Sequence, residues 1–501
     1  MKLSVGIGLI LLLNLSAVRA SDADYSMNRD CLKAYGLILQ LKLDEAHNLL
    51  ADAEESNPAN NIIPYLKNYS DFLKIIISED EALFESLSPL IKERDDQLES
   101  GTENSPWHLY CQAQGNLQWA FARIKFGDYT SAALNLNRSY RQLKANKEKF
   151  PDFSLNNAAL GLLHMLIGSV PENYRWIMST FSFQGTVEQG VVEIKQLIEN
   201  PVILARYPFL KSESLFLLTF IPSNFSASAD NSNLLQSLIE DPKNIDLIAK
   251  SPLLVYAASS YYLHNAMNDK ALSLLNNYPK GDAYYPFHFL DYLTGKAKLN
   301  KLDDGARIHF LRFVVNFRGK NNIKSAYLHL AWIGLLNNNA EEYNKYTTRV
   351  KLMGSEELEN DQQALTEANL NKPPDIFLLK ARLLFDGGYY TEALAELGNF
   401  NKDKSGSPRE MLEFTYRLAR IYDKSGNTKK AVEYYMQTLE KGADYPYYFA
   451  ANSALQLGNI YEASGNTDKA RYYYKKCLNL NYDEYRSGIS QKAKAGLSAL
   501  K

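Results

Sequence analysis

The chain contains only three cysteines in 501 residues, Cys31, Cys111 and Cys477. No two of them form a C-x-x-C arrangement, so the sequence encodes neither a zinc-ribbon site nor a thioredoxin-like redox pair. Two states stay open for Cys31 and Cys111: a disulfide between them, or buried free thiols. We expect buried thiols, because no neighbouring pattern favours the pairing and free cysteine packs as a small apolar side chain.

Histidine is also scarce, and none of the seven forms H-E-x-x-H or an i, i+4 pair. A metal-binding helix is therefore not encoded. The sequence further lacks a G-x-S-x-G elbow, a P-loop and a G-x-G-x-x-G motif. We expect a protein that is not an enzyme and that uses no cofactor or metal. A triad built from distant residues is recognised by geometry alone, so catalysis stays the less favoured alternative.

Neither sign of charge dominates, since 55 basic and 57 acidic residues give a formal net charge of −2. Removing residues 1–20, which carry Lys2 and Arg19 and no acids, changes this to −4. A nucleic-acid-binding domain usually carries a basic excess. The balance therefore predicts no nucleic-acid partner.

Long apolar runs are absent except at the start of the chain, where Leu3 to Val18 follows Met1-Lys2. Small residues at Val18 and Ala20 precede Ser21, which is the pattern of a signal-peptide cleavage site. The run is short for a bilayer core of ~30 Å, which disfavours the alternative of a membrane anchor. We predict that residues 1–20 are a signal peptide. The mature chain would have no transmembrane span and would be exported, periplasmic or associated with an outer membrane.

What the sequence does contain is an internal repeat with an offset of 39 residues. Leu418-Ala419-x-Ile421-Tyr422 recurs as Leu457-Gly458-x-Ile460-Tyr461, Gly426-Asn427-Thr428 as Gly465-Asn466-Thr467, and Tyr434-Tyr435 as Tyr473-Tyr474. Apolar residues spaced i, i+3, i+4 on either side of Gly-Asn predict two helices and a tight turn. A repeat of this length is typical of stacked helical hairpins.

The positions within the repeat have distinct expected roles. Gly426 suits a helix C-terminus that needs a positive φ, and Thr428 would cap the following helix through its hydroxyl. Ala419 and its counterpart Gly458 would allow close approach of paired helices. The rings of Tyr435 and Tyr474 would fill space between hairpins, with tyrosine hydroxyls reaching water.

These residues resemble the tetratricopeptide repeat. Weaker copies of its pattern lie at four further sites: Ala381, Gly388, Ala393 and Leu397; Ala34, Ala46, Ala53 and Pro58; Tyr262, Ala271 and Leu275; and Ala120, Gly127, Ala132 and Leu136. The resemblance implies an all-α protein, a right-handed superhelical solenoid of TPR-like helical hairpins. Each hairpin would bury its apolar face only by stacking on its neighbours.

A second resemblance covers most of residues 100–501. Gly161-x6-Gly168-x2-Pro171, then Phe181-x-Phe183-x-Gly185 and Gly190-x6-Leu197, is similar to the helical region of the tetratricopeptide repeat protein 39 and inclusion body clearance family. Members of that family are helical-repeat proteins, and the family supplies no catalytic residues. This chain departs from it in carrying an export signal and so looks like an exported, bacterial form.

The clearest joint in the sequence is Pro373-Pro374, because proline cannot sit inside a helix and restricts the residue before it. We therefore predict three segments. Residues 1–20 are the signal peptide, 21–372 a divergent helical-repeat region, and 373–501 a TPR-like array with its clearest repeats at 411–449 and 450–488.

In tetratricopeptide repeats the first helix of each hairpin lines a concave groove, so the resemblance implies a binding surface there. The predicted partner-binding residues are Arg382, Asp386, Tyr416, Arg420, Asn452, Asn459 and Glu462. Arginine beside asparagine can hold a carboxylate or a peptide backbone. We expect a non-catalytic, exported scaffold that binds a protein or peptide partner in the cell envelope. The alternatives are an envelope assembly factor docked peripherally on an outer membrane complex, and a glycan-capture accessory protein.

Overall fold

The computed structural model describes residues 24–169, 183–225, 229–370, 372–401 and 407–500. Within these ranges it consists of helices joined by short turns, with no strand. This confirms the predicted all-α class of helical hairpins. The predicted signal peptide lies outside the described residues, as do Pro171 and Phe181 of the second resemblance.

The described helices of the first half of the chain follow one another in the order α1 (Arg29–Leu39), α2 (Leu43–Ser56), α3 (Ile62–Ser78), α4 (Glu81–Leu87), α5 (Leu90–Glu99), α6 (Pro106–Lys125), α7 (Tyr129–Lys149), α8 (Leu155–Ser169), α9 (Val187–Ile198), α10 (Pro201–Arg206), α11 (Phe209–Phe225), α12 (Ala229–Glu240) and α13 (Pro242–Ala249).

Those of the second half are α14 (Pro252–His264), α15 (Asn268–Asn277), α16 (Phe289–Asn300), α17 (Ala306–Asn316), α18 (Ile323–Leu336), α19 (Ala340–Leu352), α20 (Glu359–Asn369), α21 (Ile376–Gly387), α22 (Tyr390–Gly398), α23 (Pro408–Lys424), α24 (Thr428–Gly442), α25 (Tyr448–Ala463), α26 (Thr467–Asn479) and α27 (Arg486–Ala499). No described helix combines the length and the apolarity needed to cross a bilayer.

The chain divides into two compact units. Unit 1 comprises residues Met1–Tyr261, Leu274–Leu290 and Phe317–Gly319, and unit 2 comprises Tyr262–Ser273, Asp291–Asn316 and Lys320–Lys501. The sequence placed a boundary at Pro373-Pro374, and these prolines do lie between two helices, α20 and α21. Unit 2, however, continues through that joint. The division into two units therefore does not test the predicted boundary between residues 372 and 373, which stays a prediction.

In unit 1, antiparallel neighbours pack as hairpins, with α1 against α2, α6 against α7 and α8 against α9. The last pair crosses at two glycines. A Cβ on Gly190 would lie 2.2 Å from the Gly161 carbonyl oxygen, so no larger residue fits there without a backbone shift. Two glycines that the sequence singled out in the second resemblance therefore have a packing role.

In unit 2, α23 to α27 pack in succession, each helix against the next. The small residues Ala419, Ala431, Gly458 and Ala470 stand at the contacts, and the three alanines are fully buried. Tyr474 lies between two glycines, since a Cβ on Gly458 would meet its ring at 2.4 Å and one on Gly496 at 2.5 Å. The expectation of small residues at close helix contacts is confirmed.

The hairpin turns differ from the sequence expectation in one detail. Gly426 and Gly465 adopt the predicted positive φ, at 79° and 75°. The cap of the following helix, however, is Asn427 and not Thr428, since the Asn427 side chain accepts from the Lys430 amide at 3.2 Å. Asn466 does the same at the next turn. Asparagine one residue earlier takes the cap position, which leaves the threonine as the first helical residue.

The buried tyrosines also differ from expectation, because their hydroxyls bond to protein groups. Tyr435 donates to Asp423 at 3.1 Å, and Tyr474 donates to Asn459 at 2.9 Å. Buried polar groups need such partners, since an unmade hydrogen bond costs ~1–3 kcal/mol. The three cysteines are fully buried free thiols, as expected.

Candidate functional site

Unit 2 contains a groove with a cavity of about 420 Å³. We call it the unit 2 groove. Its walls come from α16, α18, α20, α21, α23, the start of α25 and the residues just before α27. The charged side chains on its walls are Lys296, Glu367, Lys372, Asp375, Arg382, Asp386, Arg409, Glu410, Glu413, Arg417 and Glu484.

The first feature of the unit 2 groove is an arginine held between an aromatic ring and an acid. The Arg382 guanidinium lies 4.8 Å from the centre of the Trp332 ring, and its Nη1 is 3.5 Å from Glu367 Oε2. The Trp332 indole N–H donates to the other oxygen of Glu367 at 2.6 Å. Burial raises the pKa of Glu367, while Arg382 and the indole oppose that shift. Trp332 and Glu367 therefore fix the plane of the guanidinium.

A second pair lies on α23, where Arg417 Nε donates to Glu413 Oε1 at 2.8 Å. The two residues are four apart, which puts them on one face of the helix. Burial opposes ionisation of Glu413, but Arg417 and then Arg382 and Arg409 outweigh it and lower the pKa of the carboxyl. Glu413 is therefore an anion in a partly desolvated wall, where a charged group attracts more strongly than in water.

The third pair joins the start of α23 to the segment before α27. Arg409 Nη1 lies 2.7 Å from Glu484 Oε1, and its guanidinium lies 4.9 Å from the centre of the Tyr447 ring. The second oxygen of Glu484 is buried and has no hydrogen-bond partner among the described residues. Since an unpartnered buried acceptor is costly, this oxygen is available to a donor that enters the groove.

Aromatic rings complete the wall beside these pairs. Tyr448 and Tyr485 meet edge to face, with ring centroids 4.8 Å apart. Tyr485 has a φ of 55°, in the left-handed region that bulky residues rarely adopt. Such strained positions cluster at functional sites, so this tyrosine is a candidate contact residue.

His329 is a further lining residue of the unit 2 groove, and it is neutral at ordinary pH. Its ring stacks on Phe310 with centroids 4.9 Å apart. Burial, with Lys296 and Arg382 nearby, lowers its pKa to about 3. Burial also lowers the pKa of Lys296, against the pull of Asp386.

The arrangement as a whole alternates charge around aromatic rings. Each of Arg382, Arg409 and Arg417 has a glutamate beside it, so the lining is close to neutral. Among the described residues there is no group of three or more His, Cys, Asp or Glu side chains placed to hold a metal ion. Such a lining suits recognition of a segment that carries both hydrogen-bond donors and acceptors, as a polypeptide does.

Two of the predicted partner-binding residues, Arg382 and Asp386, line the unit 2 groove. Two others, Tyr416 and Arg420, lie on α23 outside its lining. Tyr416 is only 1% exposed, and its hydroxyl accepts from Arg420 at 2.9 Å. The Arg420 guanidinium also lies 4.6 Å from the centre of the Phe385 ring.

The remaining three predicted residues lie on α25 and bond within the chain. Asn452 accepts from Gln456 at 2.9 Å. Asn459 and Glu462 both accept from the hydroxyl of Tyr474. None of the three lines the unit 2 groove. Their contact with a partner stays a prediction.

Sequence reasoning missed several lining residues: Trp332, Glu367, Arg409, Arg417, Glu484 and Tyr485. One of them had a readable signal, because Arg417 stands four residues after Glu413. Glu367 and Trp332 lie before Pro373-Pro374, outside the segment in which the repeat was clearest.

Residues 410–482 match the tetratricopeptide repeat family model. The match covers α23, α24, α25 and α26 almost completely, and it includes Glu413, Arg417 and the Tyr447–Phe449 stretch of the unit 2 groove. No curated protein matches the chain. The tetratricopeptide repeat is typical of non-catalytic scaffolds that bind other proteins.

Proposed function

We propose that this chain is a non-catalytic, exported scaffold that binds a segment of a protein partner in the unit 2 groove. The observation that carries the proposal is the set of three arginine–glutamate pairs interleaved with aromatic rings around one cavity. The tetratricopeptide match at residues 410–482 supports a scaffold role. The resemblance in sequence to the tetratricopeptide repeat protein 39 and inclusion body clearance family favours the same role.

The partner segment would replace part of the internal pairing. Arg382 and Arg409 are stacked on rings, which keeps their N–H groups oriented while leaving them able to take a carboxylate or a backbone carbonyl. The buried oxygen of Glu484 would accept an N–H of the same segment. Aromatic residues supply contact area at low conformational cost.

Pull-down from an envelope extract tests the unit 2 groove, because the chain offers two matched arginines. Arg382→Ala removes a lining guanidinium, whereas Arg420→Ala removes a guanidinium that stacks on Phe385 outside the lining. We expect captured partner to fall about tenfold or more with Arg382→Ala, as for a buried interfacial charge, and to change little with Arg420→Ala.

A third variant, Asp386→Lys, separates loss of binding from loss of folding. Asp386 is exposed in the groove wall, so this substitution should leave the fold intact. It should also reduce capture while the helical circular dichroism signal stays that of the wild type. Capture at the wild-type level by both Arg382→Ala and Asp386→Lys, or a loss with Arg420→Ala as large as with Arg382→Ala, would place the partner elsewhere.

Export is a second part of the proposal and rests on residues 1–20. The basic start, the apolar run and the small residues before Ser21 support cleavage and release into the periplasm or to the outer membrane surface. Mass spectrometry of the protein from the envelope fraction should find a mature N-terminus at Ser21. An intact Met1 terminus in the cytoplasmic fraction would refute export.

A further inference from the structure

A second groove lies in unit 1, between α5, α6 and α7, with a cavity of about 770 Å³. We call it the unit 1 groove. Its lining joins three arginines, Arg123, Arg138 and Arg141, to one acid, Asp95, and to apolar Leu134. Nothing in the tetratricopeptide match, which begins at residue 410, accounts for this surface.

The helix that forms one wall is strongly basic although the chain as a whole is slightly acidic. Helix α7 carries Arg138, Arg141, Lys144, Lys147 and Lys149 against a single acid, Glu148. Local excess of one sign produces a field that the net charge of −2 conceals. The unit 1 groove would therefore attract negative charge.

Two of the lining arginines have no competing internal bond. Arg138 and Arg141 are exposed, and within the described part of the chain neither forms a hydrogen bond or an ion pair. Arg123, in contrast, donates to Asn135 and lies 3.9 Å from Asp128. Arg138 does act on the Asp95 carboxyl, whose pKa burial raises and the charge of Arg138 partly lowers. A partner's carboxylate would therefore share Arg138 with Asp95, whereas Arg141 is free to bind one.

The lining of the unit 1 groove also contains apolar side chains. Leu134 is 60% exposed and lines the unit 1 groove together with Ile91 and Leu109. A ligand that covers Leu134 while it pairs with the arginines would remove this apolar surface from water. The ligand should therefore carry both negative charge and an apolar side chain.

A ladder of side-chain amides between α6 and α7 holds the wall in place. Gln142 donates to Gln112 at 2.9 Å, Asn116 to Gln142 at 3.3 Å, and Asn135 to Asn116 at 2.6 Å. Gln112 and Asn116 are buried. A satisfied buried polar network specifies one arrangement of the two helices, so the arginines are presented on a fixed support.

We propose that the unit 1 groove docks an acidic, amphipathic segment of a protein partner. Its carboxylates would pair with Arg138 and Arg141, and an apolar side chain would cover Leu134. A concave groove with an apolar side chain in its wall suits a chain segment that enters it, whereas a flat lipid surface would contact only its rim. Asp95 would disfavour a partner that places a carboxylate at the α5 wall.

Selection from a random dodecapeptide library on the immobilised full-length protein tests this docking site. Peptides recovered should be rich in Asp and Glu and carry an apolar residue. Their affinity, measured by fluorescence anisotropy, should fall about tenfold or more for Arg138→Glu with Arg141→Glu, since carboxylates would then face carboxylates. Affinity should also fall with added salt, because the Debye length shortens from ~10 Å at 0.1 M to ~3 Å at 1 M.

The matched control is Lys429→Glu with Lys475→Glu, which changes the net charge equally at exposed sites in unit 2. It should leave peptide affinity unchanged. Leu134→Ser should weaken binding without changing its salt dependence. Recovery of no acidic peptides, or equal loss in the control pair, would overturn the proposal.

Vesicles of phosphatidylcholine with and without phosphatidylglycerol distinguish a membrane from a peptide ligand. We expect no binding to either. Binding to the anionic vesicles that is lost in Arg138→Glu with Arg141→Glu, together with no selected peptide, would assign this surface to lipid and overturn the docking of a protein segment.

Discussion

Glu213, in unit 1, is a carboxyl whose charge depends strongly on its surroundings. Its Oε1 accepts from Tyr35 at 3.0 Å and from Tyr69 at 3.2 Å, while its Oε2 is buried without a hydrogen-bond partner among the described residues. Burial raises the pKa of this carboxyl to about 7, and the two tyrosines only partly oppose the shift. The folded protein therefore keeps the proton at a pH where the unfolded chain has released it.

This raised pKa predicts a pH-dependent stability. The stabilisation from protonated Glu213 is complete below the ordinary carboxyl pKa of ~4.3 and is lost as pH rises through about 7. Glu213→Gln keeps an acceptor for both tyrosines and cannot ionise. Its melting temperature should match that of the wild type at pH 5 and exceed it at pH 8. The difference at pH 8 corresponds to ~1–3 kcal/mol of unfolding free energy.

The matched control is Glu433→Gln, since Glu433 is exposed on α24. It should shift the melting temperature equally, or not at all, at both pH values. A difference between Glu213→Gln and the wild type that stays constant from pH 5 to pH 8 would contradict a raised pKa at Glu213.

At the scale of helices and turns, the sequence predicted what local spacing determines. Gly426 and Gly465 could be assigned to helix ends because a positive φ favours glycine, and the structure has them at 79° and 75°. Gly458 could be assigned to a close contact because its counterpart Ala419 is also small. The identity of the ring that fills that space, Tyr474, followed from the repeat as well.

The predicted N-cap of α24 was wrong because two residues that can cap a helix stand side by side in the turn before it. Asn427 and Thr428 are adjacent, and both side chains can accept from a helix N-terminus. The structure places the helix start after Asn427, so the asparagine oxygen meets the Lys430 amide. Helix boundaries shift by one residue on such differences, which spacing alone does not resolve.

The unit 2 groove was only partly predictable, for a geometric reason. Arg382 and Asp386 were found because they lie one turn apart on α21, in a helix that the repeat pattern placed correctly. Glu367 on α20 and Glu484 before α27 belong to no repeat position that the sequence made visible. Their distances to Arg382 and Arg409 come from tertiary packing, which a single sequence does not encode as a pattern.

At the scale of the whole molecule, each of the two units has its own groove and its own electrostatic character. In the unit 2 groove, Arg382, Arg409 and Arg417 each pair with a glutamate. In the unit 1 groove, two arginines have no ion pair among the described residues. Helical repeats can carry different ligands on different units because each unit contacts only its neighbours. We expect variants of one groove to leave binding at the other unchanged.

Photo-crosslinking in living cells would show whether a protein partner occupies the unit 2 groove. In separate variants, a photoreactive residue replaces Asp386 or Gln363 in the groove wall. In the control variant it replaces Lys429, which is exposed on α24. We predict the same protein adduct at Asp386 and Gln363 and none at Lys429. An adduct at Lys429 alone, or none at either groove position, would mean that no protein partner occupies this groove.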